Sequence, residues 1–144
     1  MQFNISQAQF GVRPSVTLPN PEFLKVVGED GLRKIISDHY DLIRKSPINN
    51  IFPEDEKEFE QAKINSSDFF IQICGGPKYF NENRGAPMMV ARHQPFKITP
   101  KTRMVWLECY IEVLKKLDID EELLKSFWNY LDIFSIWMVN TPED

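Results

Sequence analysis

Histidine and cysteine are the scarcest residues of this chain, with two of each in 144 positions. Two cysteines, Cys74 and Cys109, are too few for a disulfide framework, and both lie in apolar helical stretches, so they read as reduced and buried. Two isolated histidines exclude a structural zinc site of familiar design. The glycine-rich phosphate loop, paired cysteines, His-Glu-x-x-His and the Gly-x-Ser-x-Gly elbow are all missing, which leaves a nucleotide-binding or ordinary hydrolase reading without support. A basic excess is missing too. There are 17 Lys and Arg against 21 Asp and Glu, a formal net charge of -4. That balance argues against non-specific binding to nucleic acid or an anionic membrane. No apolar run approaches a membrane span. Met1–Phe10 lacks a charged start followed by an apolar core, so no secretory leader is expected and cytoplasm is the default compartment. Strand-like alternation is absent throughout, so the expected fold is all-α.

Helical patterning is what remains. Residues 1–20 carry Gly11, Pro14 and Pro19 without a helical stripe and read as an extended or mobile N-terminal arm. Residues 21–144 read as a single domain. Pro21-Glu22-Phe23-Leu24 suits a helix start, and Gly28 interrupts it. Leu32, Ile35, Ile36, His39, Tyr40 and Ile43 then recur at helical spacing, which puts two polar-tipped rings on one buried stripe. A second helix spans about Asp55–Cys74 with Phe59, Ala62, Ser66, Phe69, Phe70 and Ile73 on its stripe. Ala62 and Ser66 are small between large neighbours. Such a gap arises either from a close helix crossing or from room left for something other than protein. Gly75-Gly76-Pro77 stops this helix. Residues 77–98 read as loop with one short helix near Met88–His93. Thr99-Pro100 caps the next helix, whose apolar residues lie nearly all round, so it reads as central and buried. Asp120-Glu121-Glu122 opens a last helix at its positive end.

The stretch "GAPMMVARHQPFKITP", residues 85–100, raises the functional question. His93 stands between the apolar run Met88-Met89-Val90 and Pro95. A lone buried histidine is usually structural, a buried Tyr40 usually a core residue, and a buried Trp106 usually bulk. Together they suit a flat apolar cofactor with one axial metal position, because haem iron takes a single proximal histidine and is tuned by donors on its open side. The stretch Gly75–Tyr110 resembles the truncated haemoglobins of the second group (the O type). The resemblance rests on Gly75-Gly76-Pro77, Tyr79-Phe80, Gly85-Ala86-Pro87, Arg92-His93, Pro95-Phe96 and Trp106-Leu107, which keep the family's order. Upstream, "HYDLIRKSPINNIFPED", His39–Asp55, is similar to that family's first pocket helix and corner. The resemblance covers about Gly28 to Pro142.

That resemblance implies a truncated-globin two-over-two helical sandwich around haem b. It makes His93 the iron ligand and Arg92 a partner for a haem propionate. Met89, Phe96, Ile98 and Phe69 would pack on the porphyrin, and Phe52 would wedge it from the corner. Tyr40 and Trp106 would be the distal donors, with Ser66 or His39 as helpers and Ala62 as the small residue of the distal gate. The chain also departs from the pattern. Ser66 stands where relatives carry Gln or Leu, His39 where Phe is frequent, and Asn65 where a propionate-binding base is common. Phe80 lacks the hydroxyl of a frequent tyrosine, with Tyr79 beside it as the alternative. Lys63 is a weaker sixth-ligand candidate, expected in solvent because of its long stem.

The function implied is reversible binding of dioxygen, nitric oxide or carbon monoxide at a five-coordinate iron, with high oxygen affinity from distal hydrogen bonds. A second reading keeps the haem but makes the chain a redox enzyme, a nitric oxide dioxygenase or peroxidase, which would need an external reductase. A third is a haem-free helical interaction module.

Overall fold

The computed structural model describes residues 1–143. Its helices are α1 (Pro21–Arg44), α2 (Glu56–Ile73), α3 (Tyr79–Arg84), α4 (Met89–His93), α5 (Pro100–Leu114) and α6 (Glu121–Met138), with a single 3₁₀ turn at Asn49–Ile51. No strand occurs among the described residues. Nor is any described helix long and apolar enough to cross a membrane. α1 packs on α2 and α5, and α6 packs on α5 and α1, while α3 rests on α2 and α4 on α6. The four long helices thus form two pairs, with the short helices closing one side.

Each long helix begins where a polar side chain satisfies an orphan backbone N–H. The Asn20 side chain accepts from Glu22 N–H before α1, and Asp55 accepts from Glu58 N–H before α2. Thr99 and Asp120 do the same for α5 and α6. Gly28 breaks α1 with φ 76°, a left-handed conformation that favours glycine. At the end of α2 the reason for glycine is space. A Cβ on Gly76 would lie 2.7 Å from Ile71 Cγ2 and 2.8 Å from Leu24 Cδ2, so α1 and α2 could not close there.

The core between the pairs is aromatic. Phe23 stacks on Phe127 with centroids 4.5 Å apart, and Phe70 meets Tyr110, Phe127 and Tyr130. Three expectations change. The loop-like segment holds two short helices rather than one, because Tyr79–Arg84 makes a turn and a half before Gly85 ends it at φ 80°. α5 is not buried all round: Met104 is 41% exposed. Cys109 is half-buried on that helix, and Cys74 alone is fully buried.

The arm is extended and docked on α6. Trp128 Nε1–H donates to Asn4 O at 2.9 Å and Trp137 Nε1–H to Pro14 O at 2.7 Å. Phe3 sets its edge on the Trp128 ring at 5.1 Å. Ser6 reaches furthest in. Its N–H and hydroxyl donate to the two Asp132 carboxylate oxygens at 2.9 and 2.7 Å. Asp132 in turn pairs with the buried Arg103 at 2.6 Å. Arg103 also donates to Ser135 Oγ, Asp132 O and Ser6 O at 2.8, 2.7 and 2.8 Å. An arginine in the core is tolerable only because so many of its N–H groups are satisfied.

Asp132→Ala removes the carboxylate and leaves that guanidinium buried without its counter-charge. The unfolding free energy from equilibrium denaturation should fall by about 3–5 kcal/mol. A loss below about 1 kcal/mol would show that the pair carries no such weight.

Candidate functional site

α4 is a single turn, and its entry is strained. Met88 adopts φ 43° and ψ 50°, a left-handed conformation rare for a side chain of this size. Arg92 holds the turn in place. Its Nε–H donates to Pro87 O at 2.6 Å, and Nη2 donates to Arg84 O at 3.0 Å and Ala86 O at 3.1 Å. The guanidinium also lies over the Phe80 ring, 5.1 Å from its centroid. The Nη1 amino group is the part of Arg92 left for a carboxylate.

His93 closes α4. Its Nδ1 lies 2.6 Å from Met89 O. A carbonyl only accepts, so Nδ1 carries the proton and Nε2 keeps a lone pair. Burial pushes the imidazole pKa down, and the Met89 hydrogen bond partly opposes that. The ring is therefore a neutral imidazole with one basic nitrogen. Asn140, just past α6, clamps the segment after it. Its Nδ2 donates to His93 O at 3.2 Å and Phe96 O at 2.8 Å, while its Oδ1 accepts from Ile98 N–H at 2.9 Å.

His93 lines a cavity of about 300 Å³ between the helical pairs. Arg92, Met89, Phe96 and Ile98 share its wall with His93. Phe52, Phe69 and Phe80 supply aromatic wall from the corner, α2 and α3. Tyr40, Trp106, Ser66 and Ala62 line it as well. The small residues of α2 thus mark a cavity rather than a close helix crossing. Phe96 is 43% exposed, so the cavity reaches the surface on that side.

Burial raises the Tyr40 phenol pKa, and Ser66 beside it opposes the rise, although no hydrogen bond of good geometry joins the two. The phenol remains a proton donor at neutral pH. Trp106 differs from the other two tryptophans, whose indole N–H groups are bound to arm carbonyls. Its indole N–H has no protein acceptor among the described residues.

Two of the candidate residues stand off the cavity wall. His39 is fully buried behind it, with Nε2 3.0 Å from Trp106 O. Tyr79 turns to α1, where its hydroxyl donates to Glu29 at 2.9 Å. The reason is the same for both. Successive helical residues point about 100° apart, so Tyr40 takes the cavity and its neighbour His39 cannot, and Phe80 takes it in place of Tyr79. Lys63 also differs from expectation. It is not solvated, since its side chain is 11% exposed and its Nζ is held by Asp41 at 2.8 Å. That contact, with Ser37 at 3.0 Å, ties it to α1 and away from the cavity wall.

Sequence reasoning missed several wall residues. Tyr110, Phe134 and Met138 line the cavity although nothing in their helical spacing sets them apart from ordinary core residues. Ile48 and Arg84 came from turns without periodicity, and Arg103 with Ser135 from the unforeseen buried network.

A model of the family described as bacterial-like globin matches residues 23–140. The chain is a bacterial-like globin. Among curated relatives, the group 2 truncated hemoglobin YjbI of Bacillus subtilis is 29% identical over 120 residues, 83% of this chain and 89% of that one. The phosphate-bound crystal structure of Hell's gate globin IV superposes with a TM-score of 0.88 at 34% identity, covering 98% of this chain and 89% of that chain. The group II truncated haemoglobin of Bacillus anthracis gives 0.78 at 29% identity, covering 84% and 98%. The fold of this globin is therefore the truncated, two-over-two form.

The globin family implies haem, and the donor set can be tested against it. No group of three or more His, Cys, Asp or Glu side chains is placed to hold a bare metal ion among the described residues. A neutral imidazole with one basic nitrogen in a mostly aromatic and aliphatic cavity suits instead a metal that brings its own equatorial ligands. The residues fit.

The buried His39 should make this globin sensitive to acid. Burial outweighs the Trp106 hydrogen bond and lowers its pKa from 6.5 to about 3. Below pH 6.5 the unfolded chain takes up a proton that the folded chain refuses, so stability falls as pH drops from there toward 3. Urea denaturation at a series of pH values should show this slope, and His39→Phe should flatten it. An equally steep curve in the variant would show that His39 is not held neutral.

Proposed function

We propose that this globin holds haem b through His93 Nε2 and reversibly binds dioxygen, with nitric oxide and carbon monoxide as further ligands. The observation that carries this reading is the His93 imidazole, whose proton is committed to Met89 O and whose other nitrogen is left basic beside an aromatic cavity. When bound, haem would supply iron chemistry that can take a diatomic ligand.

The protein's own residues do the rest. The Met89 carbonyl orients the imidazole and raises its basicity, the usual part of a group behind a ligating histidine. Met89, Ile98, Phe52 and Phe69 line the cavity and would exclude water from a bound macrocycle. Arg92 Nη1, Arg84 and Asn65 line the cavity and would be the polar partners for propionate carboxylates. Tyr40 and Trp106 are the donors for a ligand that gains negative charge on binding, and Ser66 lies beside the Tyr40 hydroxyl. Ala62 leaves room beside them. Each such bond to a charged partner contributes roughly 1.5–3 kcal/mol, about ten- to a hundredfold in dissociation rate. Two of them make release slow, which favours sensing, scavenging or redox use over bulk oxygen transport.

Optical spectra of the purified protein test the assignment. A Soret band that shifts with carbon monoxide after dithionite reduction, and is lost or strongly altered in His93→Ala, is the expected result; no stoichiometric haem uptake would sink the reading. Stopped-flow measurement tests the distal donors. Tyr40→Phe combined with Trp106→Phe should speed oxygen release at least about tenfold, and an unchanged rate would remove both residues from the ligand's surroundings.

A further inference from the structure

His39 is a buried polar residue that the proposed function does not use. Its ring is 0% exposed and lies outside the cavity wall. It stacks on Tyr110 with centroids 3.4 Å apart and planes 16° apart. It meets Trp106 edge-on at 5.4 Å and 85°. Trp106 and Tyr110 stand one turn apart on α5 and touch each other at 4.7 Å. One imidazole from α1 therefore covers both.

Packing alone does not account for an imidazole there. Nδ1 is buried with no hydrogen-bond partner among the described residues. An unpaired buried acceptor is costly, and a phenyl ring would fill the space without one. The other nitrogen explains the residue. Nε2 lies 3.0 Å from Trp106 O, so Nε2 carries the proton and donates to that carbonyl. In a regular helix that carbonyl already accepts an N–H from one turn on, and the imidazole takes its second lone pair. No charged group among the described residues pairs with the ring, and burial keeps it neutral. The tautomer is thus fixed by the one bond it makes.

We propose that His39 is a positioning residue for the distal donor: by holding the Trp106 carbonyl and bracing its ring against Tyr110, it sets where the Trp106 indole N–H points in the cavity. The Trp106 side chain has no protein hydrogen-bond partner among the described residues, so its aim depends on its backbone and on the rings around it. This inference rests on the reading of Trp106 as a ligand donor. Tyr40 is the next residue along α1, so the same contact sets the two donors relative to one another across the α1–α5 crossing.

Two variants separate the bond from the bulk. His39→Phe keeps a ring on Tyr110 and removes the donor, whereas His39→Gln keeps a donor for Trp106 O and removes the stack. Oxygen release from the haem-loaded ferrous protein should be about three- to tenfold faster in His39→Phe and return to within about twofold of the parent in His39→Gln. The C–O stretch of the carbon monoxide complex should shift in the first variant and recover in the second. In a Trp106→Phe background His39→Phe should change neither reading, while in a Tyr40→Phe background its effect should persist. Equal effects in the presence and absence of the indole would show general packing and overturn the proposal. So would an unchanged rate and stretch in His39→Phe.

Failure of the underlying reading looks different: Trp106→Phe alone would then leave oxygen release unaltered. The Trp106 indole ¹⁵N–¹H resonance of the haem-free protein decides the inference in that case. It must move in His39→Phe and return in His39→Gln, and a stationary peak overturns the proposal. Should His39→Phe fail to fold, His39→Gln still tests it, because a change in release rate beyond about tenfold contradicts a role carried by the donated bond.

Discussion

The candidate site turns on the hydrogen bond from His93 Nδ1–H to the Met89 carbonyl. It spans one helical turn, so it exists only if α4 forms a turn that short and in that place. Much of the neighbourhood serves this requirement. Arg92 ties the loop before the turn through three backbone carbonyls, and Asn140 ties the segment after it. Met88 accepts an uncommon backbone conformation to let the turn begin. A ligand nitrogen must be basic and aimed, and a five-residue helix has no rigidity of its own to provide either. Bonds from outside the helix provide both.

The opposite side of the cavity obeys a different logic. There the wall comes from long helices, whose rigidity is given by packing between the pairs. The gap survives because α2 carries Ala62 and Ser66 where its neighbours carry phenylalanine, and because the rings around it are braced by one another. Tyr40 sets its ring edge-on to Phe52 at 5.4 Å and Phe59 at 5.7 Å. Aromatic side chains suit such a wall, since they have few rotatable bonds and lose little freedom when fixed.

Much of this could be read before any coordinates. The start at Pro21, the cap at Thr99, the acids at Asp120-Glu121-Glu122, the stop at Gly75-Gly76-Pro77 and stripes of period 3.6 locate the long helices, whereas the Asn20 and Asp55 caps appear only in the structure. His93 could be singled out because the chain has so few histidines and fenced this one with prolines. The resemblance to truncated haemoglobins then ordered the rest of the wall. What stayed hidden has physical reasons. Adjacent residues such as His39 and Tyr40, or Tyr79 and Phe80, are equivalent in a sequence pattern until the helix rotation is known. Arg103 and Asp132 are 29 positions apart and look like two solvated charges. Asn140 and Arg92 act through backbone carbonyls, which every residue has and no sequence displays. Residues 1–20 carry no periodicity because an extended arm that docks through indole-to-carbonyl bonds needs none.

That arm also bears on the order in which the chain can be finished. Asn4, Ser6 and Pro14 bond to Trp128, Asp132 and Trp137, partners 123 to 126 positions away. During synthesis the arm leaves the ribosome more than a hundred residues before the helix it lies on. Contacts of such separation form late, after the loop they close has been ordered by other means. Until then Arg103 and Asp132 meet without Ser6, and the indoles of α6 stay unmatched. The globin helices are therefore expected to assemble first and to receive the arm last, so that residues made long before α6 are among the final ones to fold.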